Sequence, residues 1–367
     1  MMIIDSIQTV QDMARGAVLL GTGGGGDPYV GELFVRAQIK RGNYPRMISC
    51  EEVADGAFVV SIAGIGAPPV MAEHLVSEQT LRRLLTRAEA FYGRPIDALI
   101  SAEIGGANSM FPLALSALSG IPVVDADGIG RAVPQLEMTT FSIYGARAMP
   151  GVLMDDSGNV VTVEAVSDAM AEQLCRTITA AMGSMAFMAA YPMSGTQVRE
   201  VAVKRTLTQT LEIGRCIREA RDGEEDIFEA LTDYLGSWDN RLARILFDGK
   251  IIDVVHEVRD SWHWGQVTIQ ALSGPSDICT IEIRNEYLVA RINGETVTLV
   301  PDLIAILDRE SGEPLTAEML AYGQRVKVLG YAADDMLRRP ESLLVLEPRR
   351  FGVDEDFRTI EELLAGR

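Results

Sequence analysis

The sequence predicts a two-domain protein of the α/β class. An N-terminal layered domain with a mostly parallel sheet is followed by a mixed domain of helices and a small β-barrel or sandwich. Three observations predict it. The chain has 367 residues, more than one typical core needs. Its first half alternates apolar strand-like runs with amphipathic segments across short glycine turns, the pattern of a parallel sheet covered on both faces. Its last third holds six or so short strands separated by Gly and Asp turns, as in small antiparallel folds.

Each element follows in order. A short helix over about residues 5–15 leads into TGGGGDP, and YVGELFVRAQIKRG then places Val30, Leu33, Phe34, Ala37 and Ile39 near helical spacing. AFVVSIAG reads as a buried strand and HLVSEQTLRRLLTRAEAFYG as a helix. DALISAEIGG, NSMFPLALSALSG and IPVVDADG repeat the strand, helix, strand order. In GVLMDDSGNVVTVEA the DSGN between two apolar runs signals a hairpin at an antiparallel edge. Beyond residue 165 the texture changes, so the expected domains are 1–165 and 166–367. SDAMAEQLCRTITAAMGSMAFMAA, TLTQTLEIGRCIREAR and DIFEALTDYLGSW read as helices. ILFDGKIIDVVHEV, GQVTIQALSG, CTIEIRNEYLVARING, ETVTLVPDLIAIL, RVKVLGYAA and LLVLEP read as strands.

Composition narrows the partners. The chain is 47% apolar and carries a net charge of -19. That charge opposes nucleic acid and anionic membrane surfaces, both of which are gripped by Lys and Arg. A small molecule is the expected partner, and a homo-oligomer is left open. Cys50, Cys175, Cys216 and Cys279 are scattered without paired spacing, which argues for reduced thiols rather than a disulfide frame. MMIIDSIQTVQDM lacks the basic start and apolar core of a secretory signal. The cytoplasm is the expected location.

In open α/β sheets ligands bind at the carboxyl ends of the strands. The loops TGGGGDP, GIGAPPVMAEH, EIGGANS and DADGIGRAVPQLEMTT follow the apolar runs, so they would place Asp27, Glu73, Glu103, Asn108, Asp125, Asp127 and Arg131 around one crevice. Gly23, Gly24, Gly25 and Gly26 open onto a helix. Three readings stand for them: a phosphate cradle, a structural turn, or a frame for a small polar ligand. Asp27 stands where a phosphate loop has lysine, and the acidic residue of a dinucleotide site is missing, so no nucleotide is expected.

Glu103, an acid at an apolar strand end, is costly unless used or paired. Arg131 either offsets the aspartates or grips a carbonyl or carboxylate. Asn108 caps a helix or faces the ligand, and Glu73 charges a helix start or lines the crevice. Asn285, Glu286 and Asp302 are turn residues, or they reach back to the crevice. A divalent metal such as zinc could draw on Asp27, Asp125, Asp127 or on His74, His256 and His263, although His256 and His263 lack a recognised ligand spacing.

In combination, LLGTGGGGDP, EIGGANS, PVVDADGIGRAVPQLEMTT, RNEYLVA, VPDLIAILD and EPRRFGVDEDF resemble the S-methyl thiohydantoin desulfurase family, in the same order from about residue 10 to 358. The resemblance implies a two-domain hydrolase that removes sulfur as methanethiol from C2 of a thiohydantoin-like ring and leaves a hydantoin. It also implies metal dependence, with zinc as the metal, without marking the ligands. Asp127 or Glu103 would then serve as base or metal ligand, Arg131 would orient a substrate carbonyl or carboxylate, and Asp27 would approach the ring beside the glycines. One position departs from the family: after GRA-x-P the usual residue is Glu, and here it is Gln135. The competing reading is a non-catalytic subunit that senses a small metabolite in a hydantoin or oxoproline utilisation system.

Overall fold

The computed structural model describes residues 1–66, 70, 77–259, 262–274 and 276–366. Two sheets organise them. In the first, β1 (Met2–Ile3), β2 (Arg46–Ile48), β3 (Phe58–Gly66), β4 (Ala98–Ser101), β5 (Val123–Asp127), β6 (Gly151–Met154), β7 (Val160–Val163) and β8 (Met185–Ser194) lie in the order β1-β2-β5-β4-β3-β8-β6-β7. The centre, β2-β5-β4-β3, is parallel, and β8, β6 and β7 extend it antiparallel. The short β9 (Val203–Lys204) pairs with β5.

Helices α1 (Ile7–Leu20), α2 (Tyr29–Lys40), α3 (Glu78–Tyr92) and α4 (Met110–Ser119) come from the first half. They are followed by α5 (Asp168–Ala181), α6 (Thr206–Asp222) and α7 (Ile227–Ser237). In α1, Val10, Met13, Ala14, Ala17 and Leu20 are buried on one face, the i, i+3, i+4, i+7 stripe of an amphipathic helix. α1 packs along α6, and the buried Asp12 pairs with Arg15 at 2.9 Å and with Arg218 of α6 at 3.0 Å. This anchoring fixes where the glycine run begins, directly after α1.

The second sheet is antiparallel. It runs β14 (Glu295–Leu299), β13 (Glu286–Ile292), β12 (Ile278–Arg284), β11 (Trp262–Ala271), β10 (Ala243–Arg259), β17 (Arg325–Tyr331), β15 (Leu303–Asp308) and β16 (Pro314–Leu315). β13, near one edge, also packs on β15 near the other, so the sheet curls back on itself around Ile251, Val267, Ile281, Ala290, Ile304 and Val328.

The fold class matches the sequence reading, with two local differences. MAFMAAYPMS is strand β8, not a helical continuation of α5. Ala and Met favour helix, but Gly183 and Ser184 both take positive φ and end the helix. The run then fills a buried slot between β3 and β6, so tertiary pairing overrides propensity. The strand that flanks the parallel centre on the β3 side therefore comes from beyond residue 165. Conversely, LLVLEP lies largely in a helix, Pro340–Leu346, which Pro340 starts. Among the described residues no helix is long and apolar enough to cross a membrane. The four cysteines are free thiols.

Candidate active site

A cavity of about 130 Å³ opens at the carboxyl ends of β3 and β4, room for a small ring on a measure where one water needs roughly 10–15 Å³. Its floor is backbone: Gly24 and Gly25 of the glycine run, and Ala63 to Gly66 at the end of β3. One wall is the 133–136 segment with Glu172 and Arg176 of α5. The other is Asn285 and Glu286 at the start of β13, with Glu318. Glu103 and Asn108, from the loop after β4, complete it.

The glycine run is a junction of three segments. Tyr287 donates its N–H to Thr22 O at 2.6 Å, Ala317 to Gly23 O at 2.8 Å and Ala107 to Gly25 O at 2.9 Å. A Cβ on Gly23 would lie 2.5 Å from the Tyr287 ring, and one on Gly24 would lie 2.6 Å from the Glu286 side chain. One on Gly25 would lie 2.3 Å from Gly105 O. The bare backbone thus lets the C-terminal sheet and the loop after β4 close on each other, and it leaves Gly24 and Gly25 facing the cavity.

Glu103 is buried and held from both oxygens. Asn108 Nδ2 donates to Oε1 at 2.8 Å, and the Val133 N–H donates to Oε2 at 2.9 Å. Asn108 is itself fixed, its Oδ1 taking the Gly64 N–H at 2.7 Å. Burial outweighs these bonds and pushes the Glu103 carboxyl up to about 7.

Glu286 is 3% exposed, and its Oε2 is buried without a hydrogen-bond partner. Burial pushes its carboxyl up to about 8; the Arg131 charge opposes the shift, and the Glu103 and Glu318 charges add to it. Both carboxyls thus hold their protons into the neutral range, and a charge on Glu103 favours the proton on Glu286. On α5, the buried Glu172 pairs with Arg176 and takes the Leu136 N–H at 3.0 Å, while Arg176 also donates to Pro134 O.

Of the residues that the sequence placed around one crevice, Glu103, Asn108, Gly24 and Gly25 meet at this cavity. Asp127 lies behind it, fully buried, accepting N–H groups from Ile104 at 2.8 Å, Ile129 at 3.0 Å and Gly130 at 2.9 Å. It ties the loop after β5 to the loop after β4; burial pushes it up to about 7 against these bonds. Asp125 accepts the N–H and hydroxyl of Thr208 in the first turn of α6.

Arg131 is 1% exposed and spans the domains, donating to Pro301 O at 2.6 Å, Asp302 O at 3.4 Å and Thr22 Oγ1 at 3.0 Å. Burial lowers its pKa to about 10. Asp27 is exposed and takes the Tyr29 N–H at 2.9 Å where α2 starts. Gly23 and Gly26 support the loop without lining the cavity. Asp302 is buried on Ala333, Arg338 and Ile360, away from the cavity. Gln135 lines it.

Glu73 and His74 lie outside the described residues, as does the side chain of His263, and His256 is exposed on β10. Among the described residues no three of His, Cys, Asp and Glu gather as metal ligands. Of the donors named from the sequence, Asp27, Asp125 and Asp127 do not form one set: they are separately engaged with Tyr29, with Thr208, and with Ile104, Ile129 and Gly130. Reasoning from sequence missed Glu172, Arg176 and Glu318 as lining residues. A signal existed for Glu172, which shares the buried face of α5 with Ala171, Cys175 and Thr179.

Family models describe this chain as S-Me-THD-like, with the N-terminal domain matched over residues 8–165 and the C-terminal domain over 166–360. The chain belongs to the S-methyl thiohydantoin desulfurase family. A crystal structure of a Chromobacterium violaceum protein from the Northeast Structural Genomics Consortium is similar over 97% of this chain and 99% of that one, with a TM-score of 0.81 at 23% identity. At that identity the likeness concerns the fold alone. No curated protein matches the sequence.

Proposed function

We propose that the cavity hydrolyses an S-methylated thiohydantoin-like ring at C2, releasing methanethiol and leaving a hydantoin. The observation that carries this reading is a pair of buried carboxyls on one cavity, Glu103 and Glu286, of which Glu286 has an oxygen without a partner. Hydrolysis at C2 needs a base for water and an acid for the ring nitrogen, because attack pushes the C2=N electron pair onto that nitrogen. Two carboxyls that titrate apart supply both roles. Glu103, whose carboxylate is held by donors on both oxygens, is the base that takes a proton from the attacking water. Glu286 gives its proton to the ring nitrogen; the tetrahedral carbon then expels methanethiolate as its hydroxyl proton passes back to Glu286, and the thiolate takes the proton held by Glu103 and leaves as methanethiol.

The substrate ring lies on the glycine backbone, since Gly24 and Gly25 present a flat face with no side chain. Family membership supports the ring chemistry, and the cavity supports the division of labour.

Methanethiol release from an S-methyl thiohydantoin tests the reading. Glu103→Gln should lower the rate by about 10²–10⁴-fold, the usual worth of a general base. Near-full activity in that variant would remove Glu103 from the reaction. Ligand-dependent thermal stabilisation with no turnover would favour a sensor instead.

A further inference from the structure

The two carboxyls that serve attack at C2 can also return a proton to the leaving group, which an amine requires. A thiol is a far stronger acid than an amine N–H (a cysteine thiol ionises at about 8.5), so a thiolate can leave carbon unprotonated. An amine does not leave as its anion; the C–N bond breaks once nitrogen has been protonated. This site holds Glu103 and Glu286 together on one cavity, so a proton taken from water stays beside the leaving group.

The ring edge that faces such a pair has its own chemistry. Glu286 Oε2 is buried with no protein partner, a position suited to the lone-pair nitrogen of an N–C–N edge. Arg176, the guanidinium among the described lining residues, is engaged by Glu172 and the Pro134 carbonyl, while the remaining ionisable groups there are the carboxyls Glu103, Glu172, Glu286 and Glu318. A cavity of this make-up suits a ring that offers N–H donors, and it disfavours one that carries a carboxylate. An amino group on C2 is also smaller than a methylthio group, so it meets no new steric limit.

We propose that the same site hydrolyses the nitrogen counterpart of its ring, a five-membered cyclic guanidine with an amino group on C2, and releases ammonia. The inference rests on the reading above for the ring and for the two glutamates. The step balances without a redox partner. Water oxygen bonds to C2 as Glu103 takes one of its protons, and the C2=N pair moves to the ring nitrogen, which takes the proton of Glu286. The hydroxyl proton then passes to Glu286 as the carbonyl forms. The C2–N bond breaks, and the amino group takes the proton from Glu103 and leaves as ammonia. One water enters, one ammonia departs, and both glutamates return to their starting forms.

The test uses the purified full-length protein with 2-aminoimidazol-4-one as the probe and measures ammonia and hydantoin together. One ammonia per hydantoin is expected, with a loss of about hundredfold or more in Glu286→Gln. In the wild-type protein, which removes any question of folding, the probe should compete with the S-methyl ring, its inhibition constant for methanethiol release equalling its own KM. Methanethiol release without ammonia above the uncatalysed rate would overturn this inference and leave the desulfurase reading standing. Ammonia release unchanged in Glu286→Gln would overturn it as well. Ammonia without methanethiol would support the inference while removing the reading beneath it, and neither product would remove both.

Discussion

Asn108 donates from Nδ2 to Glu103 Oε1 at 2.8 Å while its Oδ1 accepts the Gly64 N–H at 2.7 Å. One amide therefore fixes the proposed base to the end of β3. The bond favours the charged carboxylate and offsets part of the cost of its burial. Asn108→Ala removes that help, so Glu103 should hold its proton to higher pH. The acid limb of the pH–rate profile, expected near pH 7 in the wild type, should move upward, and the rate at pH 7 should fall about tenfold or more. An unmoved limb with a lowered rate would mean that Asn108 supports only the fold.

Gly24 is where the glycine run touches the proposed acid. A Cβ there would meet the Glu286 side chain at 2.6 Å. Gly24 does not need positive φ, so the effect of Gly24→Ala is one of contact. Displacing Glu286 should reduce turnover at least tenfold at a stability cost of about 1–3 kcal/mol, the usual range for overpacking. Gly56, with nothing near a Cβ, provides the control: Gly56→Ala should leave both turnover and melting temperature as in the wild type.

The layering of the fold was legible because burial on both sheet faces writes itself as apolar runs, as in FVVSIAG and ALIS. β8 was not legible, since MAFMAAYPMS has helical composition and is a strand by virtue of its neighbours β3 and β6. At the site, Glu103 and Asn108 could be read from one loop, because a strand end points them at the cavity. Glu286 lies 183 positions further along the chain than Glu103. Its conspicuous polarity showed in the sequence, but the closure of Tyr287 onto Gly23 that brings it in did not. Asp127 shows the reverse. An acid at a strand end has the same sequence signature whether it faces a ligand or three peptide N–H groups.

Asp127→Asn separates those two possibilities. Oδ2 takes the N–H groups of Ile104, Ile129 and Gly130, and Oδ1 shares that of Gly130 at 3.0 Å, so an amide sets its NH2 donor against the Gly130 N–H or turns its oxygen away from the other two. A buried N–H left unpaired costs about 1–3 kcal/mol, so the variant should lose roughly that much stability. Turnover per folded molecule should stay within a few-fold of wild type when measured well below the lowered melting temperature. A variant with wild-type stability and no thiol release would assign Asp127 to the chemistry instead.

Glu103 and Asp127 at about 7 and Glu286 at about 8 share one cause, burial, and one consequence for stability. The unfolded chain releases these protons near pH 4, at about 3.9 for Asp and 4.3 for Glu. The folded protein keeps them to neutrality. Their contribution is fully present below the unfolded values and is lost as pH rises through the folded ones, because the folded state binds more protons across that window. Stability should therefore fall from pH 5 to pH 8, by up to about 1.4 kcal/mol per pH unit for each proton retained. Glu286→Gln removes one titrating group, so its melting temperature should exceed that of the wild type at pH 8 and approach it at pH 5. Thermal melts across that range check the sign: a wild-type melting temperature that rises toward pH 8 would mean that these carboxyls are not held as acids in the folded protein.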